Sequence, residues 1–205
     1  MKPLPFNACD YRCERCLETD SCRLYQMLQE RRTLNRIMGI DEEDISSIGE
    51  ELVEILKETQ DMLKKLAEEI GVDPESLSEE DDLEEQLAKD DPLYIQAHEF
   101  TLKTHDFLKK IDVLINSDAR EYFEDIMWHH TIVSAKMYRA LISATHKETI
   151  DDAINSAAVA VKSLNICIIA LDYISSGHSA ISGECKSLRE FAESLKMKIR
   201  LRLLS

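Results

Sequence analysis

Apolar residues recur three and four positions apart through most of this 205-residue chain, and only five glycines and four prolines interrupt them. That spacing is the helical period, and so few breakers leave no room for the many turns an all-β fold requires. No segment alternates in the way a half-buried strand does. The sequence therefore predicts an all-α protein.

Local signals divide the pattern into helices. A first helix is expected from caps at Asp20 and Ser21 to just before Gly39, with Arg31, Arg32 and Arg36 facing solvent. A second should follow Asp41 and run to Gly71, carrying Ile45, Ile48, Leu52, Ile55, Met62 and Leu66 as a seam interrupted at Thr59. Residues 72–90 break the seam and read as an acidic connector with room for one short helix. Asp91 followed by Pro92 is an N-cap with proline at the first helical position. It opens a third helix with Leu93, Ala97, Phe100, Phe107, Ile111 and Leu114 on one face. Asn116–Asp118 turn the chain into a fourth helix, reaching about Lys147, with Ala119, Phe123, Ile126, His130, Val133, Met137 and Ala144 in a stripe. Thr149 and Asp152 resemble a capping box for a fifth, which should bury Ile150, Ile154, Ala157, Val161, Leu164, Ile168 and Leu171. After a turn over Ser175–Ser182, a sixth carries Cys185, Leu188, Ala192, Leu195 and Ile199. Helices of about 25–30 residues are about 35–45 Å long, and matched lengths with short connections predict an antiparallel up-and-down bundle of five to six long helices. The expected organisation is a Cys-rich metal-binding segment over 1–24 and the bundle over 25–205.

The formal charge of −15 is unevenly spread. Residues 41–99 carry twenty-two acidic and four basic side chains, whereas the segments on either side are nearly balanced. Such a stretch repels phosphate backbones, so nucleic acid is not expected as a partner. A solvated acidic face is the simplest account of it. The N-terminus lacks the apolar run of a secretory signal, and no stretch approaches eighteen uninterrupted apolar residues. No membrane association is expected, and a reducing cytoplasm is the expected location, where crowded cysteines bind metal more often than they form disulfides.

Four of the six cysteines crowd into fourteen residues as Cys9, Cys13, Cys16 and Cys22, spaced C-x3-C-x2-C-x5-C. Soft thiolates select zinc, copper(I) or iron–sulfur clusters. Arg12, Arg15 and Arg23 interleave with them and would offset the charge of a tetrathiolate centre. Structural zinc sites often use two well-separated Cys-x2-Cys knuckles, and only Cys13 and Cys16 make such a pair here. A wider cubane can be wrapped by one compact run, so the packed spacing favours a [4Fe–4S] cluster over Zn2+. Cys9, Cys13 and Cys16 resemble the C-x3-C-x2-C motif of the radical S-adenosylmethionine enzymes. That family sets its motif after the first strand of a β/α barrel, and here no strand, repeated βα unit or glycine-rich segment follows. Cys22 is then the fourth ligand of a closed centre. Cys167 and Cys185, within apolar helices, read as small buried hydrophobes.

A second candidate site lies further on. Glu121, Asp125 and His129 share a helical face at four-residue spacing, with His130 beside them on the apolar stripe. The Glu-x-x-His and His-x3-Glu patterns of bundle metalloenzymes are missing, and His130 reads more simply as a core histidine. Trp128 and Tyr122 read as packing residues. His98-Glu99-Phe100-Thr101 resembles the phosphoacceptor box of sensor histidine kinases, but the following proline and a nucleotide-binding domain are both missing. The expectation is a non-catalytic metal protein with a redox, accessory or protein-interaction role, whose partner is another protein, with a homodimer left open. The alternatives are an adaptor stapled by zinc, or an enzyme using a His/carboxylate site between the third and fourth helices.

Overall fold

In the computed structural model the described residues are 8–39, scattered positions between 53 and 71, and 78–205, with side chains described from 83 onward in the last stretch. Every regular element among them is helical, so the protein is all-α. The chain divides into two compact units, Met1–Leu4 with Arg12–Leu83 and Pro5–Tyr11 with Glu84–Ser205. The second-helix seam expected at Ile45, Ile48, Leu52 and Ile55 lies outside the described residues, as does Thr59.

In the first unit, short 3-10 turns at Cys13–Arg15 and Thr19–Ser21 lead into α1 (Arg23–Met38). The helix is capped by Cys22, not by Asp20 or Ser21 as expected. Ser21 Oγ donates to the Glu18 carbonyl at 3.2 Å inside the preceding turn. The extended backbone that an N-cap needs then falls at Cys22, at φ −83° and ψ 111°. Gly39 ends α1 in the left-handed region at φ 71°, and its N–H returns to the Arg36 and Asn35 carbonyls. A Cβ there would strain the backbone, which is why glycine closes the helix.

The acidic connector is more ordered than its composition suggests, since α2 occupies Ser78–Asp90. Its end passes straight into α3 (Pro92–Ile111) through Asp91, whose carboxylate accepts from Leu93 N at 2.8 Å and holds Arg202 through two bonds of 2.8 and 2.6 Å. Asp91→Ala is expected to cost about 1–2 kcal/mol, from the lost cap and an ion pair of small net worth. Asp91→Asn, which still caps, should recover most of that in urea denaturation.

Within Glu84–Ser205, α3, α4 (Ser117–Ser143), α5 (Ile150–Gly177) and α6 (Ser182–Leu203) pack around one core. Contacts run α3 to α4, α4 to α5, α5 to α6, and α6 back to α3. The crossing pairs show which ends meet. Tyr94 near the start of α3 packs on Tyr138 near the end of α4, Arg139 of α4 holds Asp152 at the start of α5, and Arg189 of α6 holds Asp172 towards the end of α5.

The expected core faces of α3 and α6 are buried, with Leu93, Ala97, Phe100, Phe107 and Ile111 facing Cys185, Leu188, Ala192, Leu195 and Ile199. Leu114 is exposed, because α3 stops at Ile111 and the 3-10 turn Asp112–Leu114 changes the angle per residue. α4 stops at Ser143, short of the expected Lys147, which leaves Ala144 exposed beyond its end. The capping box at Thr149 does not form. Thr149 Oγ1 donates to the Ser143 carbonyl at 2.6 Å, while Asp152 receives Arg139 at 2.9 Å and Ser143 Oγ at 2.7 Å. Ile150 and Ile154 are also exposed, contrary to expectation. The other expected positions, Ala157, Val161, Leu164, Ile168 and Leu171, are buried, and Ala153, Ser156 and Ala160 join them in place of the two isoleucines.

The helix spanning Lys147–Gly177 is long and apolar enough to cross a membrane by length and mean hydropathy (1.7), and 61% of that window is buried within the structure. Packing between α4 and α6 accounts for its apolar composition.

Candidate metal centre

None of the four N-terminal cysteines is in a disulfide, and all four are partly buried. Three of their sulfurs receive backbone N–H groups. Tyr11 N donates to Cys9 Sγ at 3.2 Å, Glu18 N to Cys16 Sγ at 3.4 Å, and Tyr25 N to Cys22 Sγ at 3.5 Å. The first two close two-residue turns, and the third caps α1. N–H groups aimed at sulfur stabilise negative charge there, and at metal–thiolate centres such bonds tune the metal. Cys13 opens the 3-10 turn Cys13–Arg15, whose end returns Cys16 N to the Cys13 carbonyl at 3.2 Å. Arg12 pairs with Glu14. Among the described residues, no three His, Cys, Asp or Glu side chains are gathered closely enough to hold an ion.

Cys9 groups with the helical unit, and the residues after it explain how. The Trp128 indole N–H donates to the Asp10 carbonyl at 2.8 Å, and Lys162 Nζ meets Asp10 Oδ2 at 2.5 Å. Lys136 Nζ stands 5.2 Å from the centre of the Tyr11 ring. Tyr11 itself is in the left-handed region at φ 59°, which a bulky residue adopts only where its surroundings hold it. Lys136 is buried, at 5% exposure. Burial pushes its ammonium below the ordinary lysine value and the Arg139 charge adds to this, while Cys9, Asp152 and Asp10 pull it back up.

Sequence reasoning missed both Trp128 and Lys136. Lys136 lies four residues after Ile132 and seven after His129, on a second buried row that α4 turns towards α5.

The second candidate site does not assemble around one point. His129 Nδ1 lies 3.2 Å from Ser163 Oγ of α5, whereas His130 stacks on His105 of α3 at 5.8 Å. Asp125 is half-buried and Glu121 exposed. His130 Nδ1 is 2.9 Å from the Ile126 carbonyl, which can only accept, so the proton sits on Nδ1. Nε2 is then a buried lone pair with no hydrogen-bond partner among the described residues. Burial lowers the His130 pKa, and the His105 charge adds to this. The folded protein therefore binds this proton less readily than the unfolded chain, whose imidazole titrates near its ordinary ~6.5. Stability from His130 is complete above that value and is lost as pH falls from there towards the lowered folded pKa. Urea denaturation at pH 7.5 and pH 5 should show the drop, and His130→Gln should shrink it.

Cys167 and Cys185 are fully buried, as expected. Burial raises both thiols, Cys185 to about 11, so neither supplies a thiolate at neutral pH. His98 is exposed, stacks on Tyr94 and lines a shallow groove of about 360 Å³ with Ser134 and Tyr138.

No family model, no curated protein and no solved structure matches this chain.

Proposed function

We propose that Cys9, Cys13, Cys16 and Cys22 together hold one [4Fe–4S] cluster, in a non-catalytic protein whose helices form an antiparallel bundle and whose role is redox or accessory to a protein partner in a reducing cytoplasm. The observation that carries this reading is the set of N–H bonds to three of the four sulfurs. Arg12, Arg15 and Arg23 stand among the ligands and offset the charge of four thiolates. The cysteine run closes around the cluster as it binds, as in other sites where binding and local folding are one event.

Zn2+ is the second reading. The 3-10 turn over Cys13–Arg15 and the Glu18 N–H bond to Cys16 make a tight Cys-x2-Cys turn suited to a small tetrahedral ion. Anaerobic purification with metal analysis and an absorption spectrum decides between them. A brown protein with iron and acid-labile sulfide supports the cluster, and a colourless protein with one zinc supports the staple. Cys13→Ala should lose the metal in either case. If that variant retained the parent's full complement, the ligand assignment would be wrong.

A further inference from the structure

We infer that Trp128, Lys136 and Lys162, on the face shared by α4 and α5, seat the first cysteine of the centre by fixing the two residues on its C-terminal side. The inference rests on the four-cysteine reading and adds to it residues more than a hundred positions away. Three contacts carry it, and each falls on one of the two residues following Cys9. The indole N–H takes the Asp10 carbonyl, Lys162 takes the Asp10 carboxylate, and Lys136 lies against the Tyr11 ring. They act on a segment whose own geometry is costly, since Tyr11 holds a left-handed backbone. In the same segment the Tyr11 N–H donates to Cys9 Sγ at 3.2 Å. The seat therefore holds the conformation in which this sulfur is already hydrogen-bonded.

Charge adds a second part. A lysine at 5% exposure is seldom buried without a compensating anion. Cys9 and Asp10 are among the groups whose negative charge acts on Lys136. Bringing several thiolates onto one metal accumulates negative charge, and a fixed cation packed against Tyr11, two residues after Cys9, opposes it without reorganising. These are positioning residues, since none of the three supplies a ligand atom.

The test uses cobalt(II) as probe, on the metal-free full-length protein under anaerobic conditions. Thiolate-to-cobalt absorption reports the bound sulfurs. Trp128, the only tryptophan in the chain, reports the seat through quenching of its emission. The parent protein should show both signals at one equivalent. Lys136→Met and Lys162→Met should weaken cobalt binding roughly 10- to 100-fold, the usual cost of losing support behind a ligand. Lys136→Arg, which keeps the charge, should restore most of the affinity. Cys9→Ser should abolish the quenching while leaving thiolate absorption from the remaining sulfurs. If the parent binds cobalt with thiolate absorption and both methionine variants titrate identically to it, the seat is wrong and the centre stands. A parent protein without thiolate absorption overturns the centre and the seat with it.

Discussion

Phe100→Ala is expected to destabilise the protein by about 3–5 kcal/mol, the largest effect of any single core substitution considered. Phe100 is fully buried at the middle of α3 and meets Phe191 of α6 edge to face, with ring centres 6.0 Å apart. Truncation removes the apolar area, the aromatic pairing and the filling of a space that packed helices cannot close without shifting their other contacts. Phe191 is only partly buried, and its ring also carries Lys103 Nζ at 5.4 Å, so it can follow the vacated space only by leaving that contact. Phe100→Leu should cost much less, because it leaves a smaller void. Urea denaturation followed by circular dichroism measures both. A Phe100→Ala loss under 1 kcal/mol would mean that α3 and α6 do not share the core described here.

The helices were legible in the sequence wherever one face of a helix meets one partner. α3 and α6 follow a simple three-and-four spacing from Leu93 to Ile111 and from Cys185 to Ile199, and both faces are buried as read. On α5 the same rule holds from Ala157 through Val161, Leu164, Ile168 and Leu171 but fails at the start, where Ala153 and Ser156 are buried while the larger Ile150 and Ile154 stay outside. Over those first turns size is a poor guide, since close approach of two helices selects small side chains. The cap at Thr149 failed for a related reason. Asp152 had a stronger claimant in Arg139 on the neighbouring helix, which no local motif reveals.

At the candidate centre the cysteines stand out by spacing alone, but the residues that hold the segment do not. Trp128 and Asp10 are 118 positions apart, and neither letter differs from an ordinary packing or surface residue. Lys136 was hidden by its charge, which places it on the surface in any reading by polarity. Only its position in the row of His129 and Ile132 points inward.

Replacing Cys9, Cys13, Cys16 and Cys22 together by serine is expected to abolish metal binding while leaving the unfolding of the α3–α6 core within about 1 kcal/mol of the parent. Serine oxygen is a hard, protonated donor at neutral pH and does not replace a soft thiolate, so the full free energy of metal binding is forfeited. For a tetrathiolate-type structural site that is about 10–16 kcal/mol. The core is unaffected because its residues run from Ala88 to Ile199 and include none of these four positions. Cys167→Ser gives the opposite result. A hydroxyl placed at that fully buried position without a partner should cost about 1–3 kcal/mol of stability, with the metal content unchanged. Metal analysis and urea denaturation on both variants form a double dissociation. If Cys167→Ser released the metal, or the four-serine protein kept it, the division of labour between the two sets of cysteines would be wrong. Two kinds of cysteine in one chain would then need a common explanation. None follows from partly buried sulfurs crowded into one segment and sulfurs enclosed by leucine, isoleucine and alanine in the other.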